Sequence, residues 1–310
     1  MSTSVLLRRV RPSSIPFRSV AVSAGRRCYS SATGTDTVPL AYDLHEPTKA
    51  SVSDEKTSPI LFMHGLFGSK KNNRSISKQL ARDLGRYVYA LDLRNHGDSP
   101  HIPRHDYTVM AADVARFIHD HGLREPTLIG HSMGAKTAMT LALQSPDLVA
   151  NLIAVDNSPV DAALGSDFAK YVRGMKEIEA ADVKRQAEAD KILSKYEEAL
   201  PVRQFLLGNL HRPCAGCPQK FRVPLEILGK ALDQMGAFPY TDPSKVRFEK
   251  PSLFVRGTHS KYVPDEVLPL IGQFFPRFEL VDIEAGHWVI SEKPEEFRQA
   301  VVRFLAPKDD

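Results

Sequence analysis

A serine, a histidine and a carboxylate can together move an acyl group, and this sequence offers a candidate for each. Ser132 stands in "GHSMG", residues 130–134, the G-x-S-x-G spacing of a nucleophile elbow between a strand and a helix. The glycines are a steric requirement, because the sharp turn leaves no room for bulky side chains beside a strained serine. A serine hydroxyl is a poor nucleophile at neutral pH and needs a base. Of the eleven histidines, His287 in "EAGHWVISEKPEEF" is the best placed, after the last strand and before the last helix. His259 is a rival on the same edge, better suited to lining a pocket or facing solvent. His131 adjoins Ser132 and is expected to point away from it.

A tetrahedral oxyanion needs two backbone donors. The Met133 amide, at the start of a helix, supplies one. The second is expected from "HGLFGS", residues 64–69. Leu66 is the preferred donor there and Phe67 the alternative. Gly65 and Gly68 let this backbone approach a substrate; His64 could be catalytic, but orienting the loop is its better-suited role.

The carboxylate is harder to place. The turn that usually supplies it, after "LFV" (253–255), holds Ser260. Asp265 lies further along, in "PDEV", where an acid suits the first turn of a helix. The better candidate is Asp156. From Ser132 the chain runs down a helix of about 13 residues, roughly 20 Å. It then climbs from Val149 to Val155, about 23 Å of strand. The two lengths nearly cancel, so Asp156 emerges at the height of Ser132. Spacing alone also allows Asp156 to be a turn residue before Pro159.

The elements that must hold these residues are legible as runs. "ILFM", "YVYAL", "TLIG", "LIAV" and "LFV" are short, continuous and apolar, as strands of a parallel sheet buried on both faces should be. "FELVDI" (278–283) alternates and suits an edge, as does the stretch Val38, Leu40, Tyr42, Leu44. Helical faces lie between: Ile76, Leu80, Leu84; then Met110, Val114, Phe117, Ile118; finally Phe297, Val301, Phe304, Leu305. Strand–helix alternation predicts an α/β fold, a mostly parallel sheet with helices on both faces. Residues 160–245 break the pattern with a charged, helical composition and read as a helical cap insertion. The core then comprises residues 37–159 and 246–306.

The first 29 residues carry six arginines and no acid. That composition is a transit peptide's, directing a protein to the mitochondrial matrix, with a cut expected before Ser30. Without those arginines the 41 basic residues become 35 against 37 acidic ones, and the formal +4 becomes −2. The charge gives no reason to expect a nucleic-acid partner. No apolar run is long enough to span a membrane. Cys214 and Cys217 form a C-x-x-C among prolines with only His211 nearby. A zinc site wants four ligands, so they read as two separate loop cysteines in a reducing compartment, and no metal is expected.

"HGLFGS", "DLRNHGDSP", "GHSMG", "VDNSP", "GTHSKYV" and "AGHWVISEKP", in this order across residues 37–306, resemble the YbfF-type α/β-hydrolase fold serine esterases. That group includes mitochondrial α/β-hydrolase domain-containing protein eleven and the yeast ethanol acetyltransferases. The resemblance implies the α/β-hydrolase fold and a triad of Ser132, Asp156 and His287. It implies a small-molecule ester or thioester substrate, an acyl-serine intermediate and no cofactor. Hydrolysis of small or medium acyl groups is the expected outcome, and transfer of acetyl from acetyl-CoA to an alcohol the alternative. Phe67 and His96 are expected against substrate, although Asp92, Arg94 and His96 could instead form a network that shapes their loop. A non-catalytic binding protein on the same scaffold is the reading from another class; the intact triad speaks against it.

Overall fold

The computed structural model describes residues 37–48, 58–162 and 166–306. The expected leader at 1–29 lies outside them. The strands are β1 (Tyr42–His45), β2 (Ile60–Met63), β3 (Val88–Leu91), β4 (Thr127–His131), β5 (Asn151–Val155), β6 (Leu210–His211), β7 (Lys220–Phe221), β8 (Ser252–Gly257) and β9 (Phe278–Ile283). Seven of them form one sheet, in the order β1-β3-β2-β4-β5-β8-β9. Within this sheet, among the described residues, β1 alone is antiparallel to its neighbour. The continuous apolar runs became the central strands, and the two alternating stretches became the edges.

Alternation along each strand feeds two apolar layers. Ile60 and Phe62 of β2 join Ile76 and Leu80 of α1 (Arg74–Leu84) and Phe297 and Val301 of α11 (Pro294–Leu305). Leu61 and Met63 belong to the other layer, with Met110 and Val114 of α2 (Tyr107–Asp120) and Ala138 and Leu141 of α3 (Met133–Gln144). Both faces of the sheet are therefore covered, which is why its strands lack polar alternation. Among the described residues no helix is long and apolar enough to cross a membrane.

Between β5 and β8 the chain leaves the sheet. It forms α4 (Ser166–Ala180), α5 (Gln186–Leu193), α6 (Leu200–Leu207), the β6–β7 hairpin, α7 (Leu225–Lys230) and α8 (Leu232–Gly236). Many of its charged residues, such as Asp167, Arg173 and Lys184, are exposed. Phe168, Val172 and Met175 turn inward to the same apolar layer as Phe67. The chain returns to the sheet through β8, followed by α9 (Leu268–Phe274), β9 and the short α10 (Val289–Glu292). Cys214 and Cys217, expected as separate thiols, are instead joined in a disulfide. A turn in which Cys217 N–H donates to Cys214 O at 3.1 Å, with Gly216 at φ 80°, sets their Cα atoms 5.2 Å apart. That spacing is within the range a disulfide spans.

Candidate active site

Ser132 follows β4 and precedes α3 at φ 55°, ψ −114°, a conformation a non-glycine residue adopts only when its surroundings force it. The two motif glycines make the turn possible. A Cβ on Gly130 would sit 2.1 Å from Gly134 O, and one on Gly134 would sit 2.5 Å from Met63 O.

Register brings the acid to the serine. β4 and β5 pair His131 with Val155, and Ser132 N–H donates to Val155 O at 2.9 Å. Asp156, one residue further, stands level with Ser132. Its carboxylate is buried and takes three hydrogen bonds. Oδ1 accepts the Gly257 amide at 3.0 Å. Oδ2 accepts Ser260 Oγ–H at 2.5 Å and His287 Nδ1–H at 2.6 Å. With Nδ1 donating, Nε2 is the acceptor and takes the Ser132 hydroxyl proton's hydrogen bond at 2.9 Å. Ser260, in the turn where an acid is usual, thus hydrogen-bonds an acid supplied by another strand. Asp265 is directed elsewhere: its exposed carboxylate pairs with Arg256 at 2.5 Å. His259 is exposed. The Tyr262 ring stacks on His287 with centroids 4.1 Å apart, a contact nothing in the sequence signalled.

His131 has a partner that the sequence did not signal. It reaches across to donate Nε2–H to the His287 carbonyl at 2.7 Å. The turn bearing His287 lies beside the end of β4, so a ring directed there finds a buried carbonyl to satisfy. Burial, reinforced by neighbouring His287, pushes the His131 imidazole down to about 4. It is neutral at physiological pH and holds the backbone of His287 rather than taking a proton.

The loop at 64–69 is latched by two more histidines. His64 Nδ1–H donates to Gly65 O at 2.8 Å and its Nε2 accepts the Leu93 amide at 3.0 Å. His96 Nδ1–H donates to Arg94 O at 2.9 Å and its Nε2 accepts the Phe67 amide at 3.1 Å. Burial lowers both rings below the usual histidine range, His96 well below it. The Phe67 amide is thereby occupied, which leaves Leu66 as the loop's candidate donor beside Met133. His96 has both nitrogens engaged and, like Phe67, does not line the cavity described next. Asp92 and Arg94 are equally committed: Asp92 Oδ2 pairs with Lys70 Nζ at 2.5 Å, and Arg94 binds Asp113 with two hydrogen bonds at 2.6 and 2.8 Å. These residues form the network that shapes their loop. Asn209 of the helical insertion donates to Phe67 O at 2.7 Å, tying the insertion to the same loop.

A cavity of about 680 Å³ opens between α1, α6 and α10, reaching His131 and Gly65. Ser132 is not in its wall, but a Cβ on Gly65 would lie only 3.3 Å from Ser132 Cβ. Ile76, Val202, Phe205, Trp288 and Ile290 supply its apolar side, and among the described residues its wall contains no lysine or arginine. Phe205 comes from the insertion, its ring 4.5 Å from that of Trp288.

Residues 58–294 match the family described as alpha/beta hydrolase fold. The chain belongs to that family. A relative in Schizosaccharomyces pombe, an abhydrolase domain-containing protein, is 42% identical over 86% of this chain and 97% of its own length. A Saccharomyces cerevisiae protein named probable alcohol acetyltransferase is 41% identical over 87% of this chain and 84% of its own. The Mus musculus sn-1-specific diacylglycerol lipase ABHD11 is 37% identical over 97% of this chain and all of its own. Among solved structures, a marine microorganism esterase superposes with a TM-score of 0.79 at 32% identity, covering 87% of this chain and all of its own. Together with relatives named lipase and esterase, the family match makes this chain an enzyme, a serine hydrolase.

Proposed function

We propose that this serine hydrolase cleaves carboxylic esters or thioesters of small to medium acyl groups through an acyl-Ser132 intermediate. The observation that carries the reading is the unbroken hydrogen-bond chain from Ser132 through His287 to Asp156. Ser132 Oγ attacks the carbonyl carbon while its proton passes to His287 Nε2. Asp156 keeps the imidazole in the required tautomer and stabilises the imidazolium. The Leu66 and Met133 amides receive the oxyanion. Collapse breaks the bond to the leaving alcohol or thiol, which takes the proton from Nε2. Water then attacks the acyl-serine by the same route, releasing the acid and restoring Ser132.

The cavity supports an uncharged substrate. Among the described residues its wall holds no lysine or arginine to pair with coenzyme A phosphates, and one relative is named a diacylglycerol lipase. A second reading, acetyl transfer from acetyl-CoA to an alcohol, is favoured by the relative named alcohol acetyltransferase. The two share the acyl-enzyme and differ in whether water or alcohol attacks it. The test is an ester and acyl-CoA panel, with and without ethanol, with products identified. Free acid from uncharged esters is expected. An ethyl ester formed from acetyl-CoA as the main product would replace hydrolysis with transfer. Ser132→Ala should lower turnover by about 10⁶-fold and abolish labelling by a fluorophosphonate.

The insertion at 160–245 acts in this reading as the cap that limits acyl size. The acid-free arginine- and serine-rich leader supports import into the mitochondrial matrix and removal of residues 1–29. Terminal sequencing of protein from purified mitochondria should begin near Ser30; a start at Met1 would contradict it.

A further inference from the structure

Lys136 lies one turn beyond Ser132 on α3, and its amide donates to Ser132 O at 3.1 Å. A lysine on a helix normally extends to water, yet this one is only 2% exposed. Its ammonium has three protons and three acceptors, all backbone carbonyls: Val160 O at 2.9 Å, Gly236 O at 2.7 Å and Ala237 O at 3.0 Å. Val160 belongs to the segment by which the chain leaves β5 for the helical insertion, four residues after Asp156. Gly236 and Ala237 belong to the segment by which it returns. One side chain thus holds both connections between sheet and insertion and ties them to the helix that carries Ser132.

Neighbouring contacts reinforce the junction. Tyr107 of α2 places its ring 5.6 Å from the ammonium and donates its hydroxyl to Met235 O at 2.8 Å. Ala162 N–H donates to Gly236 O at 2.9 Å, and Phe238 N–H to Asp161 Oδ1 at 2.6 Å, so the outgoing and returning segments are also bonded to each other. A buried ammonium is costly unless every proton is matched, and the site meets that condition.

We infer that Lys136 is a positioning residue that seats the helical insertion relative to Ser132, so that its loss loosens the insertion while leaving the reacting atoms in register. Burial pushes its pKa down to about 8, with Asp161 acting in the opposite direction. At neutral pH it therefore still carries the three protons that the three carbonyls use. The inference relies on the proposed hydrolysis only for its kinetic consequence; the seating itself is independent of what the enzyme acts on.

The experiment is amide hydrogen exchange on full-length Lys136→Met, which conserves volume and removes the donors, and on Tyr107→Phe, a milder lesion of the same junction. In Lys136→Met the amides of α4 to α8 should exchange about tenfold faster, while those of β2, β4 and β5 keep wild-type protection. Tyr107→Phe should show the same pattern at smaller size. In parallel, KM on a medium-chain ester should rise about tenfold with kcat within about threefold, and Lys136→Arg, which retains charge and several donors, should recover part of the KM. Equal loss of protection in sheet and insertion, or unchanged protection in both, would overturn the inference. Selective loosening without any esterase activity in the wild type would leave the seating intact and overturn only the proposed reaction.

Discussion

The sheet edge that carries Ser132, Asp156 and His287 and the helical insertion beside it are held by different means. At the sheet edge, position follows from backbone register: His131 pairs with Val155, Val155 with Val255, and Gly257 with Ile283. Side chains there only aim what the ladder has already placed. Among the described residues the insertion has no ladder to the sheet. It is fixed by apolar packing and by a few side-chain bonds: Lys136 to its two connections, Asn209 to Phe67 O, and Tyr171 to Glu197 within it. A reaction centre fixed by register tolerates little change. A cavity wall fixed by side chains can be altered without moving the reacting atoms.

The largest expected effect that separates the two regions is on acid stability. His105 and His131, both on the sheet side, are pushed by burial to about 4 against an ordinary 6.5. The unfolded chain binds these protons from about pH 6.5 downward and the folded chain only near pH 4. Stability is therefore full above 6.5 and is withdrawn as pH falls toward 4, by on the order of 5 kcal/mol for the two together. Urea unfolding at pH 7 and pH 4.5 checks this. His105→Gln should flatten the curve in part, since His64 and His96 are lowered by burial as well, and a curve flat across that range in the unaltered protein would contradict it.

A smaller effect is expected on the insertion side. Phe205→Ala removes the ring packed on Trp288. KM for short esters should rise by about two- to tenfold, with kcat nearly unchanged and longer acyl chains better accepted. An unchanged chain-length profile would place the acyl group elsewhere. The smallest effect is at the hairpin tip. Cys214→Ser opens a loop of only a few residues, so stability should drop by less than about 2 kcal/mol with turnover unaffected. A large loss of activity would mean that the disulfide matters to the site.

The same division explains what could be read from the sequence. Five central strands were legible because burial on both faces leaves nothing but apolar residues in "ILFM" or "LIAV". Counting rises along helix and strand placed Asp156 level with Ser132, since backbone geometry is nearly the same in every protein. Contacts between distant side chains leave no such trace. Lys136 looks like any solvated helix lysine until the insertion's two ends are seen around it. The partner of His131 was not legible because it is a backbone carbonyl 156 positions away. The Cys214–Cys217 bond depends on a turn with Gly216 in a left-handed conformation, and spacing alone does not reveal it. The cavity's position beside α1 and α10 likewise depends on how helices pack, not on any local pattern.

The claim most worth testing is that the acid comes from β5 and not from the turn after β8. The direct measurement is turnover of Asp156→Asn, Ser260→Ala and Asp265→Asn on one small ester, with folding checked by circular dichroism. Asp156→Asn leaves the imidazole in the wrong tautomer and should lose up to about 10⁴-fold. Ser260→Ala removes one hydrogen bond to that carboxylate and should lose about tenfold. Asp265→Asn breaks only an exposed pair with Arg256 and should stay within about twofold. Near wild-type turnover in Asp156→Asn together with collapse in Asp265→Asn would contradict the account.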